Sequence, residues 1–150
     1  MRLIISGHRD EKLINYNLDW ISTKLNGLVG VMMRDHGVSL AYSGMASGID
    51  LMFCKACTIH NLHYIACIPF EGQENYMTEE AAANRQKYID NADGVMKVKN
   101  SWMVEHADMG IVVFDGNKGG THNVFQQLIE RKKNFYWLNP VSEVLWKCFV

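Results

Sequence analysis

The chain has 150 residues, enough for one domain with a real core and too few for two of ordinary size. Hydrophobic residues make up 48% and charged residues 21%, which excludes a disordered chain. The formal net charge of -1 gives no bulk support to phosphate-backbone binding, so nucleic acid is not an expected partner.

Taken in order, the segments alternate between two periods. "RLII" (2–5) is a short apolar run that reads as a buried strand ending at Ser6-Gly7. Leu18, Ile21, Leu25, Leu28 and Met32 then recur at helical spacing, ending near Gly37, with Gly27 and Gly30 predicting some irregularity. "VSLAYS" (38–43) is a second strand, and the segment after Gly48 reads as a helix to His60. "HYIACIPF" (63–70) is a third strand, stopped by Pro69. Thr78 caps a predicted helix through "EEAAANRQKYIDNA". Next come a strand at 94–98, a short helix over "SWMVEHA", and the most apolar strand, "MGIVVFDG" (109–116). "GGTHNVFQQLIERKK" (119–133) is a glycine turn into a helix, and "FYWLNP" (135–140) is the last predicted strand. The final ten residues read as a short helix or tail. Alternating strands and helices predict an α/β fold: a Rossmann-like three-layer sandwich with a mostly parallel central sheet.

In such sheets ligands bind beyond the carboxyl ends of the strands. Strand one is followed by Ser6, Gly7, His8 and Arg9; strand two by Ser43, Gly44, Met45, Ser47, Gly48 and Asp50. Pro69 and Phe70 follow strand three, and Asp115, Gly116, Gly119, Gly120 and Thr121 follow strand five. Glycine permits close approach to the backbone, and helix starts offer free N–H groups to phosphate. His8, Arg9 and Lys118 supply positive charge, and Asp115 is a candidate acceptor for ribose hydroxyls. Three such loops on one sheet edge point to a phosphate-bearing ligand. The order of residues is neither G-x-G-x-x-G nor G-x-x-x-x-G-K-[ST].

The blocks "IISGHRD", "YSGMASGID", "IPFEGQE", "YIDNAD", "NSWMVEHADMGIVVFDGNKGGT" and "YWLNP" resemble the SLOG superfamily over about residues 2–140. That group includes the DNA-processing DprA proteins and the LOG phosphoribohydrolases, and the nearest branch is the YspA/YpsA-like one. The resemblance implies one SLOG-like domain over 1–150 that binds a small nucleotide-derived molecule. Some SLOG domains sense ADP-ribose-derived signals in bacterial immunity. It therefore implies capture of such a molecule, or of a cyclic nucleotide, for sensing or for sequestration by a phage. LOG enzymes carry G-G-x-G-T-x-x-E, and Val124 occupies the glutamate position here, which weighs against phosphoribohydrolase-like N-glycosidase activity. The DprA turn "SG-x-A-R-G-I-D" has its arginine replaced by Ser47, which weighs against single-stranded DNA.

Other residues have plainer readings. Cys54, Cys57, His60 and His63 are spaced by three, but on a helix such steps drift about 60° each and do not converge on one ion. No metal and no cofactor are expected. Phe70 and Trp102 fit core packing and a stacking surface equally well. Arg85 reads as a solvent-facing side chain. Four cysteines, no signal-like leader and no run near the roughly 18 apolar residues of a membrane span predict a cytoplasmic protein off the membrane. A homo-oligomer is expected.

Overall fold

The computed structural model describes all 150 residues. Seven strands form one sheet: β1 (Arg2–Gly7), β2 (Leu40–Ser43), β3 (His63–Cys67), β4 (Gly94–Met96), β5 (Met109–Val113), β6 (Asn134–Asn139) and β7 (Val144–Cys148). Their order is β4-β3-β2-β1-β5-β6-β7, parallel throughout except for the β6–β7 pair. Six helices accompany them: α1 (Asp10–Leu13), α2 (Leu18–His36), α3 (Ile49–His60), α4 (Glu79–Asn91), α5 (Asn100–His106) and α6 (Gly120–Glu130). A short 3₁₀ turn covers Gln73–Tyr76.

Successive strand residues point to opposite faces, so the sheet has two cores. Leu3 and Ile5 of β1 and Ile111 and Val113 of β5 join Ile21, Leu25 and Phe53 on the side of α2 and α3. Ile4 and Val112 face the other way, toward Met103 of α5 and Val124 and Leu128 of α6. Both faces are covered, which is what the near-continuous apolar strands require.

Local signals account for the helix ends. The Asn17 side chain accepts from Trp20 N at the start of α2, and Thr78 Oγ1 accepts from Ala81 N at the start of α4. Gly37 closes α2 in the left-handed conformation. Gly27 and Gly30 do not interrupt α2. Gly30 makes room for His60, whose ring lies against it while Nε2 donates to Asn26 O at 2.9 Å. His63 pairs instead with Asp93, and Cys54 and Cys57 are buried in the core.

Three sequence expectations need correction. The chain end is a strand, β7, closing an antiparallel hairpin in which Trp146 faces Trp137. Its apolar and aromatic run favours extended backbone over helix. The strands after residues 63, 94 and 109 stop short of their predicted ends, at Cys67, Met96 and Val113. Arg85 is buried, 5% exposed, behind the cleft described below.

Lys133 has a structural duty of its own. Its ammonium donates to Val104 O (2.6 Å), Glu105 O (2.8 Å) and Ala107 O (2.6 Å), so it gathers the orphan carbonyls at the end of α5. Burial pushes its pKa down. Lys133→Met keeps the stem and strands three acceptors. The expected loss is about 2 kcal/mol, read as a lower urea midpoint with an unchanged slope.

Candidate functional site

The chain leaves β1 toward β2, β3 and β4, then crosses back to β5 on the other side of β1. The loops after β1 and β5 therefore diverge, and a crevice opens at that switch point. A cleft of about 810 Å³ lies there, within the usual range for a small-molecule site.

Ser6, Gly7, His8 and Arg9 line it from the β1 loop, and Gly44, Ser47 and Asp50 from the β2 loop. Pro69 and Phe70 line it from the β3 loop, and Gly119, Gly120 and Thr121 from the β5 loop. Four strand exits thus meet at one opening. Ser6 Oγ donates to Thr121 Oγ1 at 3.4 Å and joins two of the loops. Phe70 is half exposed at the mouth, edge-on to Tyr76 with ring centroids 5.8 Å apart.

The start of α6 is open. No side chain caps it, and a Cβ at Gly119 or Gly120 would meet nothing within 4 Å. Its first N–H groups keep their hydrogen-bonding capacity. The start of α3 is different. Ile49 N donates to His8 O at 3.1 Å, and a Cβ on Gly48 would stand 2.5 Å from that carbonyl oxygen. Gly48 has φ +89°. It seats the β1 loop on the helix, and Gly7 does the same from below, since a Cβ there would lie 2.5 Å from Ile49 Cβ.

Six residues expected at the site do not line the cleft. Gly48 is one, for the reason just given. Ser43 is buried, its hydroxyl donating to Asp50 O at 3.2 Å, and Met45 is buried with its sulfur accepting from Cys54 at 3.7 Å. Trp102 stacks on His106 with centroids 3.9 Å apart and meets Tyr42 edge-on, so packing is its role. Gly116 turns at φ +92° beside Trp137.

Asp115 is the sixth. Its carboxylate is used up inside the protein: Oδ1 accepts from Asn117 N at 2.9 Å, and Oδ2 accepts from Tyr16 Oη at 3.3 Å with Lys12 Nζ at 3.9 Å. Burial alone would raise its pKa, but the Asn117 N–H and the Lys12 charge hold it below the usual carboxylate range. Asp115 N also donates to His8 Nε2 at 2.9 Å. An accepting Nε2 places the ring proton on Nδ1 and keeps the imidazole neutral. Burial lowers the His8 pKa in the same direction, against the pull of Asp115.

Asp50 stands in the first turn of α3, 8% exposed. Oδ2 accepts from Ala46 N at 3.1 Å, while the buried Oδ1 has no partner in the protein. Burial pushes this carboxyl up to about 7, against the Ala46 N–H and the Arg9 charge.

Several wall residues lay outside the sequence candidates. Lys12 follows the β1 loop, and Lys99 and Asn100 begin α5 after the short strand β4. Gln73 is buried in the wall, where Nε2 donates to Gly44 O at 2.9 Å and Oε1 accepts from Arg85 Nε at 3.1 Å. The Arg85 pKa is lowered by burial, with Glu74 3.6 Å away opposing that. Arg85 thus braces the Gly44 loop from behind.

With this geometry in hand, comparison with known proteins decides one point. The solved X-ray structure of TM1055, a structural genomics target, superposes with a TM-score of 0.53, covering 89% of this chain and 71% of that one. The fold is Rossmann-like. Sequence identity to TM1055 is 11%, so the likeness concerns architecture alone. No protein-family model and no curated protein matches the sequence. The sheet is seven-stranded and mostly parallel, an α/β three-layer arrangement. No helix is long and apolar enough to cross a membrane.

Proposed function

We propose that residues 1–150 form one SLOG-like binding domain whose cleft takes a small nucleotide-derived anion. One observation carries the reading. In a chain of net charge -1, Arg9, Lys12, Lys99 and Lys118 converge on the cleft, against Glu11 and Asp50. Beside Lys118 lies the uncapped start of α6, where amides and the helix dipole favour phosphate. Arg9, Lys99 and Lys118 make no ion pair within the protein, so their charge is available to a ligand.

The SLOG resemblance narrows the ligand class to ADP-ribose-derived or cyclic nucleotide signals, captured for sensing or, in a phage setting, for sequestration. Binding is favoured over N-glycosidic cleavage by Val124, which is fully buried against α5 and β5 and holds no carboxylate at the cleft. A cytoplasmic setting is supported by four free thiols. A homo-oligomer is supported by β7, the last strand of the sheet, which exposes Leu145 and Trp146.

The test is to incubate the protein with cyclic ADP-ribose isomers, separate it, denature it and analyse what is released. Depletion of free ligand with recovery of intact molecule is the expected result. A cleaved product would move the assignment to hydrolysis, and no depletion would remove this ligand class. Lys118→Ala is expected to weaken capture about tenfold or more.

A further inference from the structure

Two aromatic rings stand bare at one end of the cleft. Phe70 is 49% and Tyr76 71% exposed, and both line the opening. Neither packs against either of the two cores. Core packing, one of the two fates open to Phe70 in the sequence, is therefore not its role. The rings meet edge-on with centroids 5.8 Å apart, an arrangement that covers one ring face between them. Flat apolar surface stays open beside the cleft.

That surface is held in place from both sides. Just before Phe70, Ile68 N donates to Met96 O at 2.7 Å and Ile68 O accepts from Val98 N at 3.2 Å. Just after it, Gly72 turns at φ +83° into the 3₁₀ turn that carries Tyr76. Gln73, the first residue of that turn, is buried and bonded to Gly44 O and to Arg85. Apolar groups gathered in the open at a cleft mark a binding surface. Two rings fall far short of the roughly 800 Å² per partner that a stable protein interface buries, so a small planar group is the better occupant.

The place of the rings in the sheet sets the length of the ligand. In the order β3-β2-β1-β5, the β3 exit that carries Phe70 and the β5 exit that leads to α6 are three strand spacings apart, roughly 14 Å. The phosphate-binding features, Lys118 and the uncapped start of α6, lie at the β5 end. We infer that Phe70 and Tyr76 form a stacking platform for the base of a nucleotide whose phosphates lie at α6. An extended diphosphate linker gives a nucleotide that reach, and a monophosphate falls short of it. The ligand class is thus a nucleoside diphosphate or a longer derivative of one. The platform rests on the reading of the cleft as a nucleotide site.

Calorimetric titration with adenosine 5′-diphosphate and with inorganic pyrophosphate tests it. Both carry the diphosphate, and only the first brings a base. Wild type is expected to bind the nucleotide about tenfold or more tightly, the usual worth of stacking one base on an aromatic side chain. Phe70→Ala and Tyr76→Ala should each narrow that ratio severalfold and leave pyrophosphate affinity unchanged, whereas Phe70→Trp should keep the ratio. Lys118→Ala should weaken both ligands and also keep it. Both rings are exposed, so their replacement does not threaten the fold. Three outcomes overturn the platform and leave the cleft reading standing: equal affinities in wild type, a ratio that survives both Phe70→Ala and Tyr76→Ala, or an equal loss of both ligands in those variants. If neither ligand binds wild type, the cleft reading falls and the platform with it.

Discussion

Gly48→Ala is expected to cost about 4 kcal/mol. Two penalties combine. At φ +89° an alanine is strained by roughly 1–3 kcal/mol. Its Cβ would also stand 2.5 Å from His8 O and 2.9 Å from Arg9 Cα. Both are backbone atoms, so no side chain can rotate away, and overpacking of this kind adds roughly 1–3 kcal/mol. For a domain of this size the sum corresponds to a fall in Tm of about 10 °C or more. Gly27→Ala is the matched control. It sits inside α2 with nothing within 4 Å, and alanine there is expected to stabilise by about 0.5–1 kcal/mol. Thermal unfolding of both variants decides the matter, and a Gly48→Ala protein melting within two or three degrees of wild type would refute the account.

The second large effect is a pH dependence centred on Asp50. The folded protein keeps this proton up to about pH 7, while the unfolded chain releases it near 4. Between those values the folded state binds more protons. Stability from this group is thus complete below about pH 4 and declines as pH rises, levelling off above 7. The whole decline amounts to about 4 kcal/mol. Asp93 and Asp115 act in the opposite sense, because both are held below the usual carboxylate range and lose their contribution as pH falls. The difference between wild type and Asp50→Asn isolates the effect. Urea unfolding of both from pH 4 to 8 should show the variant gaining on wild type by several kcal/mol toward the alkaline end. Parallel pH profiles would falsify the assignment.

Legibility in the sequence followed the range of the forces involved. α3 runs from Ile49 to His60, as read, because a glycine before it and an apolar run within it are local signals. Thr78 was legible as a cap for the same reason. β7 was not: five residues in a terminal tail define a strand only when β6 lies beside them. Arg85 reads as a surface arginine on its helix, and only the fold brings Gln73 against it. The two aspartates differ for a similar reason. Composition shows a carboxylate at each strand exit, but not that Asn117 and Tyr16 consume one while the other keeps a free oxygen. For Gly48, the sequence shows an elbow glycine but not that the occupant of its empty side is the protein's own first loop.

That contact has a kinetic consequence. With His8 O pressed on Gly48, and Ile49 N bonded to the same carbonyl, the β1 loop has no slack against α3. Ser6 ties it to Thr121 on its other flank. Arg9 is therefore presented from a stiff mount, and little entropy remains to be lost there when an anion arrives. For the anion capture proposed above, such a mouth makes binding a matter of encounter rather than of closure. Its speed is governed by how far the positive rim projects into solution, and added salt shortens that reach.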